Sequence, residues 1–213
     1  LVPGSLFEQR GGQIYNTAPV IAPDGSVVAR YSKMFPFVPY EKGVAAGSEF
    51  VSFEVPGVGR FGVSICYDMW FPETTRTLAW MGAEVILHPS MTTTIDRDAE
   101  LAIGRANAAI NQCYFVDINV AGDIGNGRSA IFGPGGELVC AAGSGREALV
   151  AELDLAAVRN ARTRGWLGLT TPLKSFRDSQ MALPAYAPGA RRSAYLDSLG
   201  PLTMPTRHRG SLT

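Results

Sequence analysis

The chain has 213 residues, 46% of them hydrophobic, and its 19 basic residues balance its 19 acidic ones. This composition is typical of a soluble globular domain and excludes the disordered and fibrous classes, and the absence of net charge leaves no long-range field to attract nucleic acid. No apolar run approaches the roughly 18 residues that span a bilayer, and the first residues lack a signal-peptide layout, so we expect a cytoplasmic protein without a nucleic-acid or membrane partner.

The first third of the chain predicts strands. Residues 13–21 and 27–33 are rich in β-forming side chains and flank turn-forming residues at 23–26, which indicates a hairpin. Residues 49–55 alternate apolar and polar side chains, and residues 60–66 predict a strand that becomes buried towards its end. Cys66 is therefore expected at a strand terminus.

Helices and strands alternate in the middle of the chain. Pro72 suits the first turn of a helix, and Gly82 suits the position just past its end. Apolar residues at steps of three or four predict a second helix over residues 96–112. Compact apolar runs predict strands at residues 84–88 and 114–119.

A second hairpin is predicted after a glycine-rich loop at residues 122–128. Its strands are residues 129–132 and 137–141, on either side of a Pro-Gly-Gly turn. A further strand at residues 149–153 and a helix at residues 155–162 close the compact part.

From Gly165 onward, proline, glycine, arginine and serine are frequent and periodicity is weak. We therefore expect a domain over residues 1–175 and an extended tail over residues 176–213. The alternation of elements predicts an α/β fold with mixed sheets and helices on their outer faces.

Cysteine and histidine are scarce. Cys66, Cys113 and Cys140 show no CxxC or other short metal spacing, so we predict neither a disulfide framework nor a zinc site, and we expect no metal and no cofactor. Only His88 and His208 are available as a histidine base.

Cys66 is the strongest candidate for chemistry. A thiol at the end of a buried strand, followed by a tight turn into a helix, lies near backbone amides that can lower its pKa and bind an oxyanion. The alternative is a cysteine that only packs. We retain that alternative for Cys113, in an apolar helix stripe, and for Cys140, in a hairpin strand.

Residues around Cys66 and Lys33 resemble two motifs of the nitrilase superfamily of carbon-nitrogen hydrolases. Residues 66–73, CYDMWFPE, are similar to its nucleophile motif, Cys-Tyr-Asp followed by two residues and Phe-Pro-Glu. Residues 30–33, RYSK, resemble its lysine motif, in which an aromatic residue stands two places before the lysine. The two motifs together are specific, and the likeness covers roughly residues 1–175.

The resemblance implies an α-β-β-α sandwich with mixed sheets and hydrolysis of an amide through a thioester on Cys66. It implies that Lys33 stabilises the oxyanion, where the alternative is a solvated lysine at a strand end. Glu41 is similar to a second glutamate of the amidase branch that orients the substrate or the lysine, and the alternative is an exposed loop glutamate. Three aromatic residues are expected as substrate-binding walls, with simple core packing as their alternative: Tyr67, Trp70 and Phe37.

The general base of the superfamily is not assigned to any position. It is a glutamate on a segment that precedes the residues resembling Pro3-Gly4-Ser5, whereas Glu8 follows them. We expect the base upstream of Leu1, so that the chain is an N-terminally truncated form of the fold. Loss of the base should lower the rate by about 10² to 10⁴, and the chain by itself is expected to be nearly inactive.

Trp70 stands where many relatives that act on carbamoyl or dicarboxylic amides carry arginine, and tryptophan cannot bind a substrate carboxylate as a cation does. The expected substrate is therefore a small aliphatic amide. A non-catalytic or truncated family member that acts as a binding or assembly subunit is the alternative function. A glycine-rich nucleotide binder is disfavoured because residues 122–127 and 143–145 lack P-loop and GxGxxG spacing. The tail is similar to extensions that wrap around a neighbouring subunit, so we expect a homo-oligomer.

Overall fold

The computed structural model describes residues 1–38, 40–187, 189 and 192–205. His208 and the end of the predicted tail lie outside these residues. Eleven strands and five α-helices occur in the part that is described. The strands in chain order are β1 Leu6–Arg10, β2 Gln13–Ile21, β3 Val27–Ser32, β4 Val51–Val55, β5 Gly59–Val63, β6 Val85–Ser90, β7 Tyr114–Asn119, β8 Ala121–Gly122, β9 Gly125–Asn126, β10 Ala130–Phe132 and β11 Leu138–Ala141. The helices are α1 Pro72–Trp80, α2 Arg97–Asn111, α3 Leu155–Arg164, α4 Pro172–Asp178 and α5 Ala194–Ser198.

The strands form two main sheets. Strands β1, β2 and β3 make an antiparallel three-stranded sheet. The second sheet has six strands in the order β11-β10-β7-β6-β5-β4, with β5, β6 and β7 parallel and the flanking pairs antiparallel. The prediction of an α/β fold with a mixed sheet is confirmed.

Two apolar clusters cover the opposite faces of the six-stranded sheet. On one face, Leu78 of α1 and Ala108 of α2 pack with Ile86 and Phe115. On the other face, Val63 and Ile65 pack with Ala18 and Tyr31 of the three-stranded sheet. Around α1 and α2 the layers therefore follow the order helices, six-stranded sheet and three-stranded sheet, and a third cluster joins Val158 of α3 to Val85 of β6.

Most of the predicted elements are confirmed, and two are corrected. β2 and β7 have the predicted bounds, and α1, α2 and α3 begin within one residue of their predicted starts. β5 ends at Val63, three residues before Cys66, because the chain leaves the sheet for a 3₁₀ turn at Cys66–Trp70. The strand β1 was not predicted, and the short strands β8 and β9 overlap the segment that was predicted as a glycine-rich loop.

The predicted strand at residues 149–153 is wrong. Its side chains alternate between exposed and half-buried, and Ala151 and Leu153 pack against the cluster around Val85 and Val158. The segment nevertheless belongs to neither sheet. An alternating sequence pattern shows only that one side of the segment is buried. An extended segment can bury one side without pairing with a neighbouring strand.

The chain after Gly165 contains α4, a 3₁₀ turn at Pro184–Tyr186 and α5. The Tyr186 hydroxyl donates to Glu73 of α1 at 2.8 Å, and Arg76 of α1 lies over the ring of Phe176 at 5.4 Å. The described part of the predicted tail thus folds into short helices and contacts the outer helix layer. None of the helices in the described residues is long and apolar enough to cross a membrane.

Candidate active site

A cavity of about 850 Å³ lies between the carboxyl ends of the parallel strands and the three-stranded sheet. Its floor comes from the ends of β6 and β7, and its opposite wall comes from residues 2–7 and from Asn16. Cys66, Lys33, Glu41 and Phe37 all line it. A concave, mostly apolar space with a few convergent polar groups is the usual form of a small-molecule site.

Cys66 occupies a backbone conformation that non-glycine residues rarely adopt, with φ of +49°. Ile65 before it is extended, and the 3₁₀ turn begins at Cys66 itself. The left-handed conformation costs on the order of 1 to 2 kcal/mol and persists only where neighbouring contacts hold it. The thiol is half-buried and free of any disulfide.

Asp68 holds the turn from within. Its buried carboxylate accepts hydrogen bonds from the Ile65 amide at 2.9 Å, the Phe35 amide at 2.9 Å and the Tyr31 hydroxyl at 2.7 Å. Burial raises the pKa of Asp68 to about 6, although these hydrogen bonds and the Lys33 charge act in the opposite direction. The carboxylate therefore ties the turn to the segment that follows β3.

Lys33 follows the last residue of β3, and its side chain is only 2% exposed. Its amide donates to the Asn16 carbonyl at 2.8 Å, and its carbonyl accepts from the Gly47 amide at 2.8 Å. A Cβ atom at Gly47 would lie 2.1 Å from the Ser32 carbonyl oxygen, so only glycine allows this close approach. These contacts fix the backbone from which the Lys33 ammonium reaches the cavity.

Glu41 pairs with Lys33 inside the cavity. The Lys33 ammonium lies 2.6 Å from Glu41 Oε2, the Asn16 side-chain amide donates to Glu41 Oε1 at 2.9 Å, and the Phe37 amide also donates to Oε2. Burial alone would raise the pKa of Glu41, but the Lys33, Phe37 and Asn16 donors outweigh it, and the pKa is lowered. Glu41 is consequently ionised at neutral pH and neutralises the buried cation.

The predicted aromatic residues divide into two groups. Phe37 lines the cavity, whereas Tyr67 and Trp70 are not among the described residues that line it. Tyr67 packs on Phe37 with ring centroids 4.7 Å apart and meets Phe71 edge-on at 5.2 Å, and Trp70 is 38% exposed. Tyr67 therefore contacts the cavity wall through Phe37.

Several polar residues at the site received no role in the sequence analysis. Asn16 and Asp68 lie inside segments that resemble the superfamily, but their partners come from distant parts of the chain. His88 is buried near the end of β6 and lines the cavity. Its Nδ1 atom forms a hydrogen bond of 2.7 Å with the Ser64 hydroxyl. Glu8 lies on β1 in ion pairs with Arg10 and Arg30 and does not line the cavity.

Behind the cavity, Arg97 joins α2 to the end of β7. Its guanidinium lies 2.8 Å from Asp117 and 3.1 Å from Glu100, and it donates to the Arg128 carbonyl at 2.8 Å. Burial raises the pKa of Asp117 to about 7 against the influence of Arg97. No group of three or more metal-ligating side chains is found in the part of the chain that the structure describes.

Comparison with known proteins decides the family. A sequence model described as carbon-nitrogen hydrolase matches residues 1–163. The chain belongs to the carbon-nitrogen hydrolase family. It is 32% identical over 171 residues to an omega-amidase, NIT2 of Homo sapiens, a match that covers 73% of this chain and 61% of that protein.

Solved structures of the family have the same fold. A carbon-nitrogen hydrolase from Helicobacter pylori G27 superposes with a TM-score of 0.71 and 31% identity, over 83% of this chain and 66% of that one. An amidase from Nesterenkonia sp. AN1 superposes with a TM-score of 0.66 and 26% identity, over 75% of this chain and 63% of that one. That structure shows covalent addition of the acetamide moiety of fluoroacetamide at the active site cysteine. The resemblance to the nitrilase superfamily is thereby confirmed, and the chain spans less than two thirds of the length of these relatives.

Proposed function

We propose that this carbon-nitrogen hydrolase chain cleaves a small aliphatic amide, with Cys66 as the nucleophile. The observation that carries the proposal is that Cys66, at its left-handed turn, and the Lys33 ammonium line the same cavity. The covalent addition at the active site cysteine of the Nesterenkonia amidase supports the same assignment.

The reaction proceeds in two halves. Cys66 Sγ attacks the carbonyl carbon and forms a C–S bond, and negative charge develops on the carbonyl oxygen. The C–N bond then breaks, and ammonia or an amine leaves with a proton. Water attacks the resulting thioester, the C–S bond breaks, and the carboxylic acid is released. By resemblance the thiol proton passes to a glutamate, which we assign to no position in this sequence.

Lys33 is proposed to stabilise the oxyanion. A cation that is 2% exposed is worth more to a developing negative charge than a solvated one, because little water screens it. Glu41 is proposed to hold the ammonium in place, since it accepts a hydrogen bond of 2.6 Å from Lys33. The pair leaves the cavity with no net charge before substrate binds.

The substrate class follows from the charges on the cavity wall. Lys33 and Glu41 are the only lysine, arginine, aspartate or glutamate among the described lining residues, and they pair with each other. The remaining wall is largely apolar, with Ile65, Leu87, Val116 and Ile118 among its residues. A substrate carboxylate would find no free cation there, so we propose an uncharged acyl chain.

The test is turnover of a series of amides by the full-length gene product. Wild-type protein should hydrolyse propionamide and butyramide at least about tenfold faster, in kcat/KM, than succinamate, the amide of a dicarboxylic acid. Cys66→Ala should abolish turnover, and Lys33→Met should lower it by about 10² to 10³. Turnover by the Cys66→Ala variant would end the proposal for Cys66, and a wild-type protein that hydrolyses none of the amides would leave the non-catalytic subunit as the better account.

A further inference from the structure

Ser64 and His88 form a buried pair directly beneath the turn that carries Cys66. Ser64 Oγ lies 2.7 Å from His88 Nδ1, and the two residues are 0% and 1% exposed. The Ser64 amide also donates to the Leu87 carbonyl at 3.1 Å. The extended segment that leads to Cys66 is thus attached to β6 by one backbone bond and one side-chain bond.

His88 also lies against the backbone of Cys66. Burial and the nearby Arg97 and Lys33 cations lower the pKa of His88 to about 3, whereas the Cys66 backbone acts in the opposite direction. The imidazole is therefore neutral at physiological pH and bonds to Ser64 as a neutral ring. The ring of His88 also packs on Phe115, with ring centroids 5.0 Å apart.

The turn needs contacts that hold it in place because Cys66 has an unfavourable backbone conformation. Asp68 supplies one support by accepting the Ile65 amide proton. Ser64, two residues before Cys66 on the same extended segment, supplies a second support through its hydrogen bond with His88. Neither Ser64 nor Asp68 is among the described residues that line the cavity, so both act on the nucleophile through the backbone.

We propose that Ser64 and His88 are positioning residues whose hydrogen bond sets the direction of the Cys66 thiol in the cavity. The inference rests on the proposed function, because it assigns the pair a task in attack by Cys66. A displacement of about 1 Å at a reacting atom lowers a rate by about 10². Loss of the Ser64 hydroxyl, which does not line the cavity, should therefore reduce the rate of attack and leave substrate binding nearly unchanged.

The experiment compares four variants of the full-length gene product: Ser64→Ala, His88→Leu, the double variant and His88→Asn. Two rates are measured in each, kcat for butyramide and the rate at which iodoacetamide alkylates Cys66, followed on the Cys66 peptide by mass spectrometry. Ser64→Ala should lower both by about 10- to 100-fold, with KM within about threefold of wild type. Thr77→Val is the matched control. It removes a hydroxyl of helix α1 that donates to the Glu73 carbonyl at 2.7 Å, and this hydrogen bond lies outside the Cys66 turn.

His88→Asn is the conservative variant because its side-chain amide can occupy the place of Nδ1 and keep the bond to Ser64. It should retain kcat within about fivefold of wild type, whereas His88→Leu should lose as much as Ser64→Ala. The double variant should be no slower than either single variant, since all three lack the same hydrogen bond. If the fold-loss in rate of the double variant equals the product of the two single fold-losses, the proposal is overturned.

Failure of the inference is distinguishable from failure of the proposed function. If Ser64→Ala alkylates at the wild-type rate while Cys66→Ala has lost turnover, the positioning role is wrong and the amidase proposal stands. If Cys66→Ala still turns over amide, the proposed function is wrong. In that case the alkylation rates of the Ser64 and His88 variants still test the pair. Rates equal to that of wild type would refute an effect of the pair on Cys66, and lower rates would support it.

Discussion

Replacement of Glu41 by glutamine would leave the Lys33 ammonium buried without its carboxylate partner. Lys33 is 2% exposed and Glu41 is 14% exposed, so the pair is largely removed from water. Removal of one partner of a buried ion pair costs about 3 to 5 kcal/mol. Because Glu41 borders a cavity that water can enter, we expect the lower end of that range, about 3 kcal/mol. Urea unfolding measures this loss, and kcat should fall by about 10² because the ammonium is no longer held.

Glu54→Gln is the matched control for that substitution. Glu54 lies 3.4 Å from Arg60, and both side chains are about half exposed, so its loss should cost less than about 1 kcal/mol. Combining Lys33→Met with Glu41→Gln should restore part of the stability, since no unpaired buried cation is left and the glutamine oxygen can still accept one of the hydrogen bonds from Asn16 and Phe37, while leaving the protein inactive. The reasoning is refuted if Glu41→Gln loses no more stability than Glu54→Gln.

Three further substitutions test the framework of the site. Asp68→Asn presents an amide NH₂ to backbone donors, so it should cost about 1 to 3 kcal/mol in urea unfolding; unchanged stability would contradict the three hydrogen bonds. Gly47→Ala should cost at least about 2 kcal/mol because of the Ser32 carbonyl, whereas Gly145→Ala, with open space around it, should stay within about 0.5 kcal/mol. Burial lowers the pKa of His88 from 6.5 to about 3, so between these values the unfolded chain binds one more proton than the folded chain, and stability is lost as pH falls. Wild type should lose about 1.4 kcal/mol per pH unit more than His88→Asn between about pH 6 and pH 4, and equal slopes would contradict the neutral buried imidazole.

The positions of Lys33 and Cys66 after predicted strands could be read from local sequence, although β5 ends three residues before Cys66. Cys66 and Lys33 each follow a run of β-forming residues, and both line the cavity because the ends of these runs meet at one edge of the fold. β7 was predicted with its observed bounds, since an apolar run between a helix and a glycine-rich loop leaves few alternatives.

The contacts that hold the site were not predictable in the same way. Tyr31 meets Asp68 across 37 positions, and Ser64 meets His88 across 24, so each contact depends on the pairing of strands. Trp70 was predicted as a pocket wall from its place in the motif, but the 3₁₀ turn directs it to the surface, where it is 38% exposed. A local pattern indicates which residues can act, and the register of the sheets decides which of them meet.

The capture of an acyl group by Cys66 is tested most directly by mass spectrometry of acid-quenched full-length protein after mixing with butyramide. The account predicts that a fraction of the protein gains the mass of a butyryl group, that the addition lies on the Cys66 peptide, and that Cys66→Ala shows none. An acyl group found on Cys140 or on any residue other than Cys66, or steady turnover by Cys66→Ala, would contradict it.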